Sequence, residues 1–449
     1  MQAKFTQGSI FKHITAMTAA STMGLLSLFL VDFIDLYWLS LLNNVELTAA
    51  IGFSASILFF TLSISIGLSI GCAALVSQAI GRGDAPYTRS LVVHIIVCVL
   101  ILTAIVAFLT VFSVTPLLRL LGASAGSMVY ANQYLTIILP SMPLLALAMV
   151  FNGVLRAAGQ AKTGMVLTLI GGAVNAILDP ILIFGLDMDI KGAAWATVGS
   201  RVAMVVFGFY FVAIKDNYIG GFVPSRFTRD LKKYLTTAFP AVLTNLSTPI
   251  GLAYVTAVMA QFGDAIVSGN AIVTKLQPLA FAGLFALSGA VGPIAGQNFG
   301  ALQFIRIRET LTKSLEFILY YSLIACAILF VACDMIIAVF GAQGGAADVI
   351  RWFCYGLSLT FIFNGATFVT NAMFNNLNAA PVATTFNFTK ATFGTIPFAY
   401  FGAQWGGPFG VLVGVLIGSI LIAIAGTWYA YHYITRLENK QIAEQADAA

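Results

Sequence analysis

Long apolar stretches follow one another along the whole chain, and short polar segments separate them. Each stretch is about 20 to 30 residues long, the length of an α-helix that crosses a bilayer, and none alternates as the strands of a membrane barrel do. The pattern predicts an all-α, polytopic membrane protein with twelve transmembrane helices, at 14–41, 47–78, 90–114, 127–155, 164–186, 192–214, 235–262, 266–296, 311–340, 346–377, 382–402 and 408–433.

The amino-acid composition agrees with this pattern. Apolar residues make up 59% of the 449 residues and charged residues 9%, whereas soluble domains carry about 25% charge. The net charge of +5 is spread over short loop clusters without an RNA-binding motif, so no nucleic-acid partner is expected. The three histidines are scattered, and the five cysteines lie in or beside apolar segments. These positions predict no cofactor, no metal centre and no enzyme, and no segment resembles the repeated selectivity filter of a channel.

Basic residues are concentrated in alternate loops, those after spans 2, 4, 6 and 8. The positive-inside rule places such loops in the cytoplasm, so both termini are predicted to be cytoplasmic. The longest polar segment lies after span 6 and contains Gly220 and Pro224, which interrupt helices. We therefore predict an N-terminal six-helix lobe at 1–215, a cytoplasmic linker at 216–233 and a C-terminal six-helix lobe at 234–449.

The two halves repeat each other. Four identities recur at an offset of 219 residues, each in the corresponding span or loop, namely Gln78 with Gln297, Gly81 with Gly300, Arg89 with Arg308, and Asn152 with Asn371. An even number of spans in each half gives both halves the same orientation. The repeat therefore predicts two six-helix bundles related by a pseudo-twofold axis along the membrane normal, an architecture suited to alternating access.

The acids inside spans 1 and 5 are not repeated in the second half, where spans 7, 8, 10 and 11 contain no acid at membrane depth. Asp35 and Asp32 lie inside span 1 and Asp179 lies inside span 5, whereas the positions related to Asp35 and Asp179 are Tyr254 and Phe398. A carboxylate at this depth costs roughly 2.5 to 3.5 kcal/mol, which makes it a functional hypothesis by default. Because no basic residue of span 1 lies within two turns of Asp35, we expect a coupling role for it, with a structural hydrogen-bonding role as the alternative. Asp32 is either a second titrating group or a residue that faces a hydrated vestibule.

Span 5 contains a second polar group. Asn175 and Asp179 are four residues apart and share one face of a helix, and Pro180 leaves a carbonyl free beside them. The alternative is a pair that only holds helices together. Further hydroxyl and amide groups for such a network come from Tyr134, Asn152 and Thr197. Span 5 also has Gly171 and Gly172, which predict a close approach to a neighbouring helix.

The second half is rich in aromatic, sulfur-containing and amide side chains, namely Phe281, Phe285, Phe361, Phe363, Met373, Asn245 and Asn364. Flat, apolar cations bind well to such surfaces. Each of these residues has an ordinary packing role as its alternative interpretation.

Four motifs stand out in the spans, namely Ser77–Gly81 (SQxxG), Gly296–Gly300 (GQNxG), the run Asn152–Gly159 and the stretch from Asn175 to Thr197. Together they resemble the signatures of the MATE family of multidrug and toxic compound extruders. Similarity extends from span 1 to span 12. In the DinF-like branch of this family, an acid at the position of Asp35 belongs to a cation site in the N-terminal lobe. The resemblance implies a cation- or proton-coupling site formed by Asp35, Tyr134, Asn152, Asn175, Asp179 and Thr197, with Asp32 as a secondary group.

The resemblance also implies a function. It is a multidrug efflux antiporter that exports cationic or amphipathic organic compounds in exchange for H⁺, with Na⁺ at the same acidic site left open. Such a transporter is a monomer in the bacterial inner membrane, surrounded by lipid. Relatives often carry a proline in span 1 where this chain has Ala20, although Gly24 still permits a bend. The alternative is a flippase for lipid-linked sugars or peptidoglycan precursors, for which Arg201, Lys275 and Lys390 are basic candidates that do not cluster in the sequence.

Overall fold

The computed structural model describes residues 2–40 and 45–448, and within these ranges a few side chains, that of Asp32 among them, lie outside the description. The described part contains helices and no β-strand. The α-helices are α1 (Ile10–Ser40), α2 (Val45–Gly81), α3 (Ala85–Leu120), α4 (Ala125–Ile138), α5 (Met142–Ala157), α6 (Ala161–Pro180), α7 (Asp189–Phe209), α8 (Pro224–Ala260), α9 (Asp264–Ala280), α10 (Ala282–Gly300), α11 (Phe304–Val339), α12 (Gly345–Tyr355), α13 (Thr360–Asn376), α14 (Ala380–Ala391) and α15 (Ile396–Ala448).

Twelve membrane crossings follow from these helices. Ten helical segments of the described residues are long and apolar enough to span a bilayer, and the pair α9–α10, bent by 47°, makes an eleventh. The twelfth comes from α15, whose backbone leaves helical geometry at Gly407, where φ is +57°. On either side of this break Gly402 lies against Gly410 and Gly394 lies against Gly418, so the chain turns back on itself as two closely packed helices. The predicted fold class is confirmed.

The first compact unit contains Met23–Val242. Its apolar core is formed by α2, α3, α4, α7 and the segment after α6, with the buried side chains of Leu47, Ala50, Ile57, Val114, Leu118, Ala131, Leu135, Leu139, Ile183, Ile190 and Ala193. In lipid, tight packing of this kind holds helices together, because there is no removal from water to drive association.

Helix α8 begins inside the predicted linker, at Pro224, and its residues up to Val242 belong to the first unit. Proline suits the first position of a helix, because its fixed φ is helical and its missing N–H is not needed there. The Tyr234 hydroxyl donates to the carbonyl of Leu68 at 2.8 Å. Only glycine fits at position 71 of α2, because a β-carbon there would clash with α8. The first turns of α8 are therefore packed against α2.

The second compact unit contains the chain from Leu243 onwards together with Ala3–Thr22. The N–H of the buried Phe5 donates to Gln297 Oε1 at 3.0 Å, and Arg306 Nη2 donates to the Phe5 carbonyl at 2.8 Å. These bonds attach the start of the chain to α10 and α11. The compact units thus divide α1 after Thr22, whereas the lobe boundaries at 215 and 234 remain a prediction.

Both units interrupt the same span of the repeat. A 3₁₀ segment at Leu139–Ser141 separates α4 from α5, and a 3₁₀ segment at Leu357–Leu359 precedes α13. The two segments lie 218 residues apart, within one residue of the sequence offset. The repeat predicted from sequence identities is therefore also a repeat of local structure.

Candidate functional site

The end of α6 places two polar side chains inside the first unit. Asp179 is completely buried, and the buried Asn175 lies one turn earlier on the same face. Pro180 cannot donate a hydrogen bond to the preceding turn, so the helix ends there. The chain continues as one π-helical turn over Ile181–Gly185. The local sequence thus produces an irregular, polar helix end at membrane depth.

Asp35 of α1 meets this helix end. Its carboxyl group lies within hydrogen-bonding range of the Asp179 carboxyl group. When the Asn175 nitrogen faces Asp35, it donates to both carboxylate oxygens of Asp35 at 3.2 Å. The opposite orientation donates to Asp179 Oδ1 at 3.5 Å but turns the amide oxygen toward the Asp35 oxygens, so the first orientation is the better assignment. In the first orientation Asn175 donates to Asp35 alone, and its amide oxygen lies toward Asp179.

The acidic pair has no basic neighbour in the described part of the chain, since no Lys, Arg or His nitrogen lies within 4.0 Å of either carboxylate. No donor among the described residues reaches Asp179 Oδ2, although this atom is buried. Two neighbouring carboxylates in a medium of low dielectric disfavour double ionisation. A proton shared between them, or a small cation held by their oxygens, satisfies the pair.

Helices α1 and α6 pack against each other, and this contact brings the two acids together. A β-carbon at Gly172 would lie 2.8 Å from Val31 Cγ2, and one at Gly24 would lie 3.7 Å from the Met165 α-carbon. Gly171 instead faces Met204 of α7, where a β-carbon would lie 2.6 Å from its side chain. Both glycines predicted to allow close approach thus do so, each toward a different helix.

Thr197 lies on α7, which packs against α6, and Tyr134 lies on α4, which packs against α7. Tyr134 of α4 is half-buried and packs against the apolar core of the first unit. The Thr197 hydroxyl donates to the carbonyl of Ala193 in its own helix at 3.1 Å. No hydrogen bond of the described residues joins the Thr197 hydroxyl to Asp35 or Asp179.

Asn152 binds a different part of α6. Its Nδ2 donates to the Gly164 carbonyl at 3.3 Å and to Thr168 Oγ1 at 3.2 Å. Thr168 precedes Asp179 by eleven residues, which is about 16 Å along an α-helix. The structure therefore brings Asp35, Asn175 and Asp179 together and places Asn152 at a distance from them, where it joins α5 to α6. The side chain of Asp32 lies outside the described residues.

Arg201 is a buried polar residue that the sequence reasoning did not assign to this region. It lies one turn after Thr197 on α7, and its Nη1 donates to the Ile138 carbonyl at 3.1 Å and to Ser141 Oγ at 2.7 Å. These bonds give partners to two polar groups at the 3₁₀ segment between α4 and α5. Arg201 therefore holds the end of the helix that carries Tyr134 in place. An arginine inside an apolar span was the only signal in the sequence, and it did not indicate the partners.

Twelve apolar crossings of the described residues in two repeated units, with an acidic pair in the first, define a polytopic membrane transporter. The sequence profile of the MatE family matches residues 20–181 and again 240–401, which is more than half of the chain. The chain therefore belongs to the MatE family, whose members are transporters and not enzymes. The two matches begin 220 residues apart, within one residue of the offset found in the sequence. Membership of the DinF-like branch remains a prediction.

Similar proteins cover nearly the whole chain. The "FAD transporter" of Shewanella oneidensis is 26% identical over 415 residues, 91% of this chain and 92% of the relative. The "Multidrug export protein MepA" of Staphylococcus saprophyticus is 22% identical over 435 residues, 96% of each chain. A solved structure of a mutant of the Vibrio cholerae MATE transporter VcmN has a TM-score of 0.90 at 26% identity, covering 96% of this chain and 98% of that one.

Proposed function

We propose that this protein is a multidrug efflux antiporter that exports cationic or amphipathic organic compounds in exchange for H⁺. The observation that carries the proposal is the pair formed by the half-buried Asp35 and the buried Asp179, with Asn175 donating to Asp35 and without a basic partner among the described residues. An intramembrane carboxylate pair exchanges protons or small cations more readily than it stabilises a fold. Relatives named as a multidrug export protein and as a probable multidrug resistance protein support the substrate class.

The acidic pair provides a simple means of antiport. A proton and a cationic drug each relieve the negative charge of the pair, so the binding of one weakens the binding of the other. Protonation also removes the need for a hydrated space around Asp35. Helix α1 then repacks against α6 and α7, and this change expels the drug to the outside. Alternation between these two arrangements couples inward proton flow to outward drug flow.

The protein spans the plasma membrane many times, as the apolar helices and the bacterial relatives indicate. The basic loops that follow α2, α5, α7 and α10 support cytoplasmic termini. The proposed transport unit is a single chain, surrounded by lipid.

Proteoliposomes test the coupling ion. Purified protein is reconstituted, and ethidium movement is followed with a pH gradient alone and with a Na⁺ gradient alone. We expect the pH gradient to drive ethidium transport and the Na⁺ gradient to have little effect on it. Transport driven only by Na⁺ would assign Na⁺ to the acidic site, and transport that ignores both gradients would contradict antiport.

Export of an organic anion is a second candidate function. The relative from Shewanella oneidensis is named as an FAD transporter, and FAD carries phosphate groups beside a flat ring system. Lys390 in the second unit is a specific observation that favours this candidate. Its amine lies inside a span and donates to Asn364 Oδ1 at 2.6 Å. The same proteoliposomes loaded with FAD distinguish the two candidates.

A further inference from the structure

Lys390 is the only charged residue between Arg351 and Arg436, a stretch that forms most of three membrane crossings. An ammonium group at membrane depth is costly and, by default, functional. Neither the repeat nor the acidic pair accounts for it, because the related position in the first half is Gly171.

The helix is interrupted immediately after Lys390. Helix α14 ends at Ala391, Thr392 has φ −99° and ψ −81°, and α15 begins at Ile396. Lys390 thus lies near the middle of the crossing that runs from Ala380 to the break at Gly407. In the first unit, α6 is continuous over the related residues. Irregular backbone at membrane depth occurs where it is buried in protein or lines a hydrated cavity, and broken helices mark binding sites in transporters.

Two other crossings of the second unit are also interrupted near their middle. Helices α9 and α10 meet at Phe281, and the 3₁₀ segment before α13 is followed by Phe361. The two phenylalanine rings stack with centroids 4.0 Å apart and planes 6° apart. An aromatic pair therefore lies where two of the three helix interruptions occur.

The surroundings of the Lys390 amine are polar on one side and aromatic on the other. Nζ donates to Asn364 Oδ1 of α13 at 2.6 Å and lies 5.9 Å from the centroid of the Phe368 ring. The exposed Phe285 packs against Phe368 with centroids 5.0 Å apart. No carboxylate of the described residues lies within 4.0 Å of Nζ. The cation keeps hydrogen-bond donors for another partner, because an ammonium group has three.

A purely structural role does not explain this arrangement. The carbonyl end of α14 attracts a cation, but the Lys390 carbonyl already accepts a hydrogen bond from Thr395 Oγ1 at 2.8 Å. A lysine that only avoided lipid would extend toward the membrane surface. The Lys390 side chain instead reaches the neighbouring helix α13 in the middle of its span.

We propose that Lys390 and Asn364 bind an acidic group, a carboxylate or a phosphate, of the transported compound, whose ring system lies on Phe368 and Phe285. This inference rests on the proposed transport function and extends the substrate class to aromatic organic acids. The acidic group supplies the negative charge that the second unit lacks at this depth, and the phenyl rings supply stacking surface.

Flavin binding to purified protein in neutral detergent tests the site. FMN and riboflavin share the ring system, and only FMN carries a phosphate. We expect the wild-type protein to bind FMN at least about tenfold more tightly than riboflavin. Lys390→Gln and Lys390→Met lower FMN affinity to that of riboflavin and leave riboflavin binding unchanged, whereas Lys390→Arg keeps the preference. Lys275→Gln, which changes an exposed lysine of α9, is the matched control and should also retain the preference for FMN over riboflavin.

Three results would overturn the proposal. They are equal affinities for FMN and riboflavin in the wild-type protein, an unchanged preference in folded Lys390→Gln, and Lys390-dependent binding of phosphatidylglycerol without binding of FMN. The last result would assign the cation to a lipid headgroup. If the neutral variants do not fold, two measurements on the wild-type protein test the site. They are the ratio of its affinities for FMN and riboflavin, and the loss of that ratio in excess inorganic phosphate. Because binding needs no ion gradient, a failure of H⁺-coupled export in vesicles is distinguishable from a failure here.

Discussion

Gly172 of α6 faces Val31 of α1 so closely that a β-carbon at position 172 would lie 2.8 Å from Val31 Cγ2. Val31 lies one turn from Asp35, and Gly172 lies two turns from Asp179, so this contact fixes the separation of the two acids. A change at this glycine therefore acts on the site from a distance.

Replacement of Gly172 by valine tests this relationship. The larger side chain displaces α1 from α6, and overpacking of this kind costs about 1 to 3 kcal/mol of stability. We expect a lower melting temperature and a loss of drug export larger than the loss of protein in the membrane. Gly52→Ala is the control, because nothing lies within 4 Å of its β-carbon position. Export at the wild-type level in Gly172→Val would show that the helix contact does not control the site.

Arg201→Met removes the guanidinium group that donates hydrogen bonds to the 3₁₀ segment between α4 and α5. The Ile138 carbonyl and Ser141 Oγ lose their charged donor, and hydrogen bonds to charged groups contribute about 1.5 to 3 kcal/mol each. Thermal unfolding in detergent should show a clear decrease in melting temperature. Arg119→Met, at an exposed arginine near the end of α3, should leave it unchanged. Equal effects of the two changes would contradict the assigned role.

A buried hydrogen bond joins His94 Nδ1 of α3 to Asp230 Oδ2 of α8 at 2.9 Å, and both side chains are 1% exposed. His94 Nε2 also accepts a hydrogen bond from the N–H of Val223 at 3.1 Å. The two bonds of His94 therefore hold the segment that enters α8. Asp230→Ala leaves the buried His94 Nδ1–H without its acceptor, and we expect a loss of about 1.5 to 3 kcal/mol of unfolding free energy. Arg229→Ala, whose side chain is 70% exposed, should cost less than about 1 kcal/mol. A comparable cost for both variants would refute the assignment.

The sequence predicted those features that depend on local pattern. The spacing of Asn175 and Asp179 follows from one helix, and the glycines beside them indicated a close contact. The meeting of Asp35 with this pair came only from the family resemblance, because the residues are far apart in the chain. The bond from Asn152 to Thr168 was equally inaccessible, since an amide in a span does not reveal its partner.

Tertiary packing decided the remaining features. The start of α8 at Pro224 lies in a polar segment, and it is helical because Tyr234 and Asp230 have buried partners in α2 and α3. The division of α1 after Thr22 depends on bonds from Phe5 to distant helices. Helix breaks such as the one after Lys390 follow from packing against neighbours, and no run of helix-breaking residues predicted it.

Asp35→Asn should abolish drug resistance in cells without lowering the amount of protein in the membrane. The amide has the shape of the carboxyl group but cannot bind a proton or carry a negative charge. Growth in the presence of ethidium and the amount of membrane protein are the two measurements. Asp187→Asn is the matched control, because Asp187 is an exposed acid of the same unit at φ +57°, a conformation that asparagine tolerates. Normal resistance in Asp35→Asn would exclude Asp35 as an essential coupling group.

Proton release on drug binding tests the central claim, that Asp35 and Asp179 hold the proton that the drug displaces. Tetraphenylphosphonium is added to purified protein in weakly buffered detergent solution, and the pH is recorded together with the amount of cation bound. The account predicts about one proton released per bound cation in the wild-type protein and in Asp187→Asn, and none in Asp35→Asn or Asp179→Asn. Proton release from Asp35→Asn and Asp179→Asn equal to that of the wild-type protein would contradict it.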